Sequence, residues 1–217
     1  MKILEKLLDL LFPPRCPFCR SILRDGERTV CATCDKSLPR TNAASCEQSF
    51  PHVEKCFSPL YYDGTVRQSL LRYKFGGMSV YSEKYSEFIL KCIDENKVSC
   101  DIITWVPLSA ARRRRRGYDQ AELLARCLAK RRGIDCKRLI VKIRNNPAQS
   151  GTASADMRKK NVSGVYRVAD GAEIRGRTVL LVDDIVTTGS TLGECARVLK
   201  SAGAAQVFAA TLARNRR

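Results

Sequence analysis

The run Thr178-Val-Leu-Leu-Val-Asp-Asp-Ile-Val-Thr-Thr-Gly-Ser-Thr-Leu192 decides the fold of this chain. Four successive apolar residues, from Val179 to Val182, predict a strand that is buried on both faces, as in a parallel sheet. Asp183 and Asp184 follow at the predicted carboxyl end of this strand, where open α/β sheets bind their ligands. The stretch therefore predicts an α/β fold with a ligand site at this edge of the sheet.

Five small residues after the two acids form a predicted phosphate loop, and they are Thr187, Thr188, Gly189, Ser190 and Thr191. A helical pattern begins near Leu192, so backbone N–H groups and the helix dipole can bind a phosphate dianion there. The two carboxylates can accept hydrogen bonds from ribose hydroxyls. The pattern is typical of a ribose 5-phosphate site, and the alternative is an ordinary Asp/Thr/Gly turn after a buried strand.

Strand and helix patterns alternate along the rest of the chain. This alternation favours an α/β fold with a mostly parallel sheet and helices on both faces. Beyond the signature strand, strands are predicted at 58–62, 102–106, 138–143 and 206–212, and helices at 64–72, 78–95, 120–131 and 192–202.

Composition limits the class of protein. The 217 residues, 44% of them apolar, suffice for one full domain and a small second unit. The net charge of +17 favours polyanionic partners, but it does not choose among nucleic acid, phosphorylated metabolites and anionic membranes. The eleven cysteines are an odd number and follow no signal peptide, and no apolar stretch approaches the length of about 18 residues that spans a membrane. We therefore expect a cytoplasmic protein with no membrane span, which begins with a short amphipathic helix over 1–12.

Two C-x2-C pairs near the start predict a structural metal site, Cys16-Pro-Phe-Cys19 and Cys31-Ala-Thr-Cys34. Each pair can place two thiolates on one tetrahedral ion, and a zinc ion would stabilise a segment that contains few apolar residues. An iron–sulfur cluster and unligated or redox-active thiols are the alternatives. We predict a zinc-binding segment over 1–57, zinc-ribbon-like in character, and a second domain over 58–217.

The remaining cysteines have less defined roles. Cys46 and Cys56, with the single histidine His52 between them, fit either a second metal site or structural thiols beside the first. Five others lie in apolar patterns typical of small buried side chains, namely Cys92, Cys100, Cys127, Cys136 and Cys195.

A second loop, 106–120, is predicted at the same edge of the sheet and contains five consecutive arginines, Arg112 to Arg116. On a helix these side chains would point in all directions, so at most two or three could reach one ligand. They either contact a diphosphate or nucleic-acid phosphates, or form a solvated basic face. The irregular polar stretch 144–164 is predicted to be a mobile lid or a passive linker.

The signature run resembles the phosphoribosyl-diphosphate motif of type I phosphoribosyltransferases, and the whole chain resembles the ComF competence-protein family. The residues that carry the second resemblance are Pro13-Pro-Arg-Cys16 with the following cysteine pairs, Tyr62-Asp-Gly64, Tyr73-Lys-Phe-Gly76, Val106-Pro-Leu108, Arg116-Gly-Tyr-Asp-Gln120, Asn146-Pro-Ala-Gln149, Arg158-Lys-Lys-Asn161 and Asp183 to Thr191. This chain departs from the family at Trp105, where a proline is usual, at Asp119, where an asparagine is usual, and at Ser49 and Phe57, near which a further cysteine pair is common.

The resemblance implies a site for phosphoribosyl diphosphate and Mg²⁺. Asp183 and Asp184 would hold the ribose and favour positive charge at the anomeric carbon, while Thr187 to Thr191 would anchor the 5-phosphate. Contacts to the diphosphate would come from Pro107, Leu108, Ser109, Arg112 and Arg116.

The resemblance also implies a role in the uptake of single-stranded DNA during transformation, with a competence helicase-type partner protein. As an enzyme the protein would be a phosphoribosyltransferase with an unknown acceptor. Two alternatives remain: an adaptor that binds single-stranded DNA without catalysis, and a nucleotide-salvage phosphoribosyltransferase.

Overall fold

The computed structural model describes residues 13–144 and 164–216. The predicted N-terminal helix, almost all of the predicted lid or linker, and the family motifs at 146–149 and 158–161 lie outside these residues. The elements in chain order are α1 (Ala32–Ser37), β1 (Glu47–Phe50), β2 (Val53–Phe57), β3 (Leu60–Tyr61), α2 (Gly64–Phe75), α3 (Tyr81–Glu95), β4 (Ile102–Trp105), α4 (Ala110–Arg116), α5 (Gln120–Arg132), β5 (Ile140–Lys142), β6 (Tyr166–Val168), β7 (Thr178–Val186), α6 (Ser190–Ser201) and β8 (Gln206–Arg214).

One six-stranded sheet organises the described chain. Its strands run in the order β1-β2-β8-β7-β4, and β3 also pairs with β8. All pairings in it are parallel except that of β1 with β2, which is an antiparallel hairpin. The predicted α/β fold with a mostly parallel sheet, of the phosphoribosyltransferase type, is confirmed.

Helices cover both faces of the sheet, which explains why β7 and β8 are apolar almost throughout. The core on one face contains α3 and α5, and Tyr85, Ile89, Leu124 and Leu128 are buried there. The core on the other face contains α6, which buries Leu192, Cys195 and Leu199. Each face thus supplies the apolar partner that a parallel strand needs on both sides.

The N-terminal strands differ from the sequence expectation. The segment 1–57 shows little hydrophobic periodicity, yet β1 and β2 lie within it, and β2 pairs with β8, with Cys56 opposite Ala209. The apolar residues of this hairpin are few, but Phe50, Val53 and Cys56 are all buried against the α6 face. The domain boundary between residues 57 and 58 stays a prediction.

The strand predicted at 138–143 also takes a different place. Its central residues form β5, which pairs antiparallel with β6 in a separate two-stranded sheet. The hairpin buries Ile140 and Tyr166 on the α6 side.

The four helices predicted at 64–72, 78–95, 120–131 and 192–202 agree with α2, α3, α5 and α6 within a few residues at each end, whereas α1 and α4 had no predicted position. No helix in the described residues is long and apolar enough to cross a membrane. Of the five cysteines predicted to be small core residues, Cys92, Cys100 and Cys195 are buried, whereas Cys127 and Cys136 are half-buried.

Candidate functional site

The two acids of the signature lie within β7, which continues to Val186 rather than ending before Asp183. Successive residues of a strand point to opposite faces, so the two carboxylates leave the sheet on different sides. Asp184 is buried and forms an ion pair with Lys74 of α2, whose Nζ lies 3.0 Å from Oδ1 of Asp184. Asp183 accepts a hydrogen bond from the backbone N–H of Asp184 at 2.8 Å.

Burial and the neighbouring Asp184 carboxylate raise the pKa of Asp183, and the ammonium group of Lys74 opposes this shift. Both causes favour the neutral form of the Asp183 carboxyl group, because two adjacent negative charges shielded from water repel each other. A ligand that brings hydroxyl donors or a cation to these oxygens would relieve that repulsion.

A cleft of about 380 Å³ opens at the carboxyl edge of the sheet beside the two acids. Four cationic side chains line it, Lys74, Arg112, Arg116 and Lys142. Asp119, Asp183 and Asp184 are its carboxylates. The cleft therefore combines a cationic lining, suited to phosphate groups, with carboxylate acceptors for hydroxyl groups.

The phosphate loop is shaped by Gly189, which has a φ of +75° and precedes the first turn of α6. A β-carbon at this position would lie 2.0 Å from Cδ1 of Phe50 on β1, so only glycine fits. Because glycine has no side-chain oxygen, it does not cap the N–H groups of the first turn, and these can face a ligand anion. The hydroxyls of Thr188 and Ser190 bond to each other at 3.0 Å.

The loop 106–109 is fixed by Asp119, which stands at the start of α5. One of its carboxylate oxygens accepts from the N–H groups of Ala121 and Glu122, and the other accepts from the N–H of Leu108 at 2.8 Å. Pro107 and Leu108 line the cleft, but the backbone donor of Leu108 is already used. Asp119 therefore connects this loop to α5.

The arginine run forms α4 and most of its side chains point away from the cleft. Arg112 and Arg116 line the cleft, whereas Arg113 pairs with Glu122 at 3.4 Å and Arg114 and Arg115 are exposed. This division agrees with the sequence argument that two or three of the five could reach one ligand.

Arg116 is held in place by two contacts. Its Nη1 donates to Oε1 of Gln120 at 2.8 Å, and its guanidinium group lies 4.8 Å from the ring centroid of the exposed Phe75. Burial lowers the pKa of Arg116, and the nearby Asp184 carboxylate opposes this effect.

The predicted site residues are only partly brought together. Those that line the cleft are Pro107, Leu108, Arg112, Arg116, Asp183, Asp184, Thr187 and Thr191. Thr188, Gly189 and Ser190 form the loop behind Thr187 and Thr191 and do not line the cleft. Ser109 is buried and instead caps α4, accepting from the N–H of Arg112 at 3.4 Å.

Several lining residues are absent from the predicted site, above all Lys74, Lys142, Tyr62 and Tyr166. The motif Tyr73-Lys-Phe-Gly76 carried a signal for Lys74, because it belongs to the family resemblance. Lys142 and Tyr166 stand on the β5–β6 hairpin, with the Lys142 Nζ 5.3 Å from the Tyr166 ring centroid, and no local pattern predicts that they reach the cleft.

The four cysteines of the two C-x2-C pairs come together at a second site, hereafter the four-cysteine cluster (Cys16, Cys19, Cys31 and Cys34). Their sulfur atoms all lie within 4.8 Å of one another, and those of Cys19 and Cys31 are 3.5 Å apart. Tetrahedral zinc with Zn–S bonds of about 2.3 Å requires sulfur separations of about 3.8 Å, so the cluster fits zinc. Within the described ranges it is the only group of three or more metal-binding side chains.

The electrostatics of the cluster suit a metal that displaces protons. Burial and the hydrogen bonds from Cys19 and Cys31 raise the pKa of Cys34. At Cys19, burial acts in the raising direction, but hydrogen bonds from Ser21 and neighbouring thiols outweigh it and lower the pKa to about 6. The cluster can thus hold one thiolate readily, while zinc must displace protons from the buried thiols.

Cys46 and Cys56, considered for a second metal site, lie elsewhere. Cys46 is buried beside Asn96, whose Nδ2 lies 3.6 Å from its sulfur, and Cys56 is buried in β2. His52 forms the turn between β1 and β2, with a φ of +65°.

Two protein-family models match the chain. A double zinc ribbon domain matches residues 7–57, and a phosphoribosyl transferase domain matches residues 114–217. Competence protein F of Haemophilus influenzae is 35% identical over 50% of this chain and 48% of its own length. The chain is similar in sequence to competence protein F over about half of its length.

Two further relatives show similarity of the same kind. Competence protein ComFC of Bacillus subtilis is 30% identical over 71% of this chain and 62% of its own length. The DNA utilization protein YhgH of Escherichia coli is 37% identical over 49% of this chain and 46% of its own length. The chain spans about half the length of most of these curated relatives. The predicted combination of a zinc-binding segment and a phosphoribosyltransferase-type domain is confirmed.

Proposed function

We propose that the cleft binds phosphoribosyl diphosphate together with Mg²⁺ and that the protein is a phosphoribosyltransferase-type protein that handles DNA taken up during natural transformation. The observation that carries the proposal is the position of both signature acids, Thr187 and Thr191 around one cationic cleft. Phosphoribosyl diphosphate combines a sugar diol with phosphate groups at both ends, which suits a lining of carboxylate acceptors and cationic side chains.

The roles follow from the chemistry of each side chain. Asp183 and Asp184 accept hydrogen bonds from the ribose hydroxyls, and the first turn of α6 binds the 5-phosphate. Arg112, Arg116 and Lys142 face the diphosphate, where guanidinium groups can form paired hydrogen bonds with phosphate oxygens.

The magnesium ion would bind mainly through the ligand. Carboxylate oxygens suit Mg²⁺, but the described residues of the cleft do not form a cluster of three metal-binding side chains. Asp183 or Asp184 would therefore contribute one or two oxygens, while the ribose and diphosphate supply others. The ion would neutralise diphosphate charge and favour departure of pyrophosphate.

The proposed role in DNA handling comes from the relatives, which are named for competence and DNA utilization. A cytoplasmic location and a competence helicase-type partner protein belong to the same proposal. Nucleotide salvage with one free base is an alternative, and turnover with a single purine or pyrimidine would favour it.

A second candidate function is binding of single-stranded DNA without catalysis. The exposed Arg114 and Arg115 and the net charge of +17 favour it, because unpaired cations attract a phosphate backbone. Replacement of both arginines with glutamine would then weaken DNA binding and make its salt dependence less steep. Unchanged affinity in fluorescence anisotropy titrations at several salt concentrations would exclude this surface.

Calorimetric titration of the zinc-loaded protein with phosphoribosyl diphosphate and Mg²⁺ tests the main proposal. We expect binding in the wild type and a loss of at least about tenfold in affinity for Asp183→Asn/Asp184→Asn, because hydrogen bonds to charged acceptors contribute about 1.5–3 kcal/mol each. Asp170→Asn is the matched control, since Asp170 is exposed and pairs with Arg167 outside the cleft. Folded wild-type protein that binds no ligand would overturn the proposal.

A further inference from the structure

Arg72 of α2 joins this helix to the first cysteine pair of the four-cysteine cluster. Its Nη2 donates to the backbone carbonyl of Phe18 at 2.6 Å and to that of Pro17 at 3.2 Å. Pro17 and Phe18 are the two residues between Cys16 and Cys19, so these carbonyls belong to the metal-binding turn itself. Hydrogen bonds from a charged donor are stronger than neutral ones, and Arg72 is half-buried.

A second set of contacts links the same turn to α2 through aromatic rings. Phe18 is buried and lies against Tyr85 and Phe88 of α3, with ring centroids 5.8 and 5.6 Å apart. Tyr85 in turn meets the ring of Tyr73 edge to face at 5.2 Å, and its hydroxyl bonds to Ser69. Ser69 also donates to the carbonyl of Pro17.

The C-terminal end of α2 reaches the cleft. The hydroxyl of the fully buried Tyr73 donates to the backbone carbonyl of Gln120 at 3.0 Å, and Tyr118 donates to the carbonyl of Tyr73. Lys74, two residues after Arg72, holds Asp184. Helix α2 therefore contacts the metal-binding turn through Arg72 and places Lys74 against Asp184 in the cleft.

From these contacts we propose that Arg72 is a positioning residue that couples the four-cysteine cluster to the cleft, so that zinc at the cluster raises the affinity of the cleft for a phosphorylated sugar. The inference rests on the proposed function. Zinc fixes the turn that presents the two carbonyls. Without it the turn relaxes, the guanidinium group loses its acceptors, and the end of α2 that carries Lys74 is less firmly held.

Coupling between two binding sites is reciprocal, which supplies a test that does not depend on activity. If zinc raises the affinity for the sugar ligand, saturating ligand must raise the affinity for zinc by the same factor. We expect a factor of about five or more, which is the lower end of typical couplings. Zinc affinity can be measured at equilibrium by competition with a chromogenic chelator, with and without phosphoribosyl diphosphate and Mg²⁺.

Variants assign the coupling to Arg72. Arg72→Gln should abolish the effect of the ligand on zinc affinity, while Arg72→Lys, which keeps a cationic donor, should retain part of it. Arg67→Gln is the matched control, because Arg67 is an exposed arginine on the same helix. Circular dichroism checks that each variant is folded, and if Arg72→Gln is not, Phe18→Leu tests the aromatic route to α2 instead.

The outcomes separate this inference from the proposed function. The double variant Asp183→Asn/Asp184→Asn is the control for zinc that the ligand itself binds in solution. Its cleft should no longer bind the ligand, so any change in its apparent zinc affinity on addition of ligand would come from that direct binding. If calorimetry detects ligand binding but zinc affinity is the same with and without ligand, the coupling is wrong and the proposed function stands. If zinc-loaded wild type binds no ligand, both fail. A full ligand effect in folded Arg72→Gln would remove Arg72 from the coupling.

Discussion

The four-cysteine cluster and the cleft at the end of β7 obtain their geometry in opposite ways. The segment around the cluster contains one helix of six residues, α1, and brings four thiols together with little regular structure. The acids and the phosphate loop instead belong to a strand and a helix that are packed on both faces of the sheet. One site should therefore depend on its ligand for its shape, whereas the other should exist before its ligand arrives.

Removal of zinc should give the largest effect. Structural zinc contributes apparent binding free energies of about 10–16 kcal/mol in small zinc-binding peptides, far more than a short segment gains from packing. We expect Cys16→Ser, or chelation of the wild type, to abolish hydrogen-exchange protection in residues 15–40 while β7 and β8 remain protected.

Cys100→Ser is the control for this prediction, because Cys100 is a buried cysteine outside the cluster. Its exchange pattern should match that of the wild type. Retained protection of residues 15–40 after complete zinc removal would mean that packing alone holds the segment.

Replacement of Gly189 with alanine should have the next largest effect and should break the preformed loop. The new β-carbon would lie 2.0 Å from a ring carbon of Phe50, at a φ of +75° that alanine disfavours. We expect a loss of about 2–4 kcal/mol in the free energy of unfolding, measured with urea, as is usual for overpacking combined with an unfavourable backbone conformation.

Gly171→Ala separates the two causes. Gly171 has a φ of +73°, but a β-carbon added there would meet no other atom within 4 Å, so this variant carries only the backbone cost of about 1 kcal/mol. Equal losses for the two variants would show that Phe50 does not constrain the phosphate loop.

Replacement of Asp183 with asparagine should have the smallest effect on stability, and it should be favourable. The folded protein raises the pKa of Asp183 through burial and the Asp184 carboxylate, so the folded state binds this proton more tightly than the unfolded state. Ionisation of Asp183 therefore costs stability as the pH rises above about 4. Asp183→Asn removes this cost, and we expect its gain in the free energy of unfolding over the wild type to be larger at pH 8 than at pH 4, measured by urea denaturation at both pH values.

Asp170→Asn should behave in the opposite direction. A hydrogen bond from Arg167 lowers the pKa of Asp170, so the ionised carboxylate stabilises the fold. Asp170→Asn should therefore not raise the free energy of unfolding at pH 8. A pH-independent difference between wild type and Asp183→Asn would indicate that the carboxyl group is not destabilised in the fold. The gain in stability would coincide with a loss of ligand affinity, which is typical of functional sites.

Local sequence patterns predicted the fold class and the signature loop because the residues that form them are adjacent in the chain. Val179 to Val182, the two acids and Gly189 are within a dozen residues, and each has a direct local consequence for strand, carboxylate or backbone conformation. The four-cysteine cluster was predictable for a similar reason, since the C-x2-C spacing places two thiols on one turn.

The remainder of the cleft depends on contacts between residues distant in the chain. Lys74 reaches Asp184 across 110 residues, and Lys142 and Tyr166 come to the cleft through a hairpin that is separate from the main sheet. Ser109 was predicted to contact diphosphate, but a serine before a helix can equally cap it, and only the structure distinguishes the two uses. The β1–β2 hairpin was missed because its burial depends on β8, more than 150 residues later.

The position of β8 determines when the site can form during synthesis. This strand lies between β2 and β7, yet it leaves the ribosome after the seven other described strands. Until residues 206–214 emerge, the β1–β2 hairpin lacks β8, the strand with which β2 pairs. Phe50 of β1 then has no fixed position beside Gly189 of the phosphate loop. Nascent chains are consequently left with two open strand edges, which favours association with chaperones or with one another. A chain released before residue 206 would contain every residue of the signature and still lack a working loop.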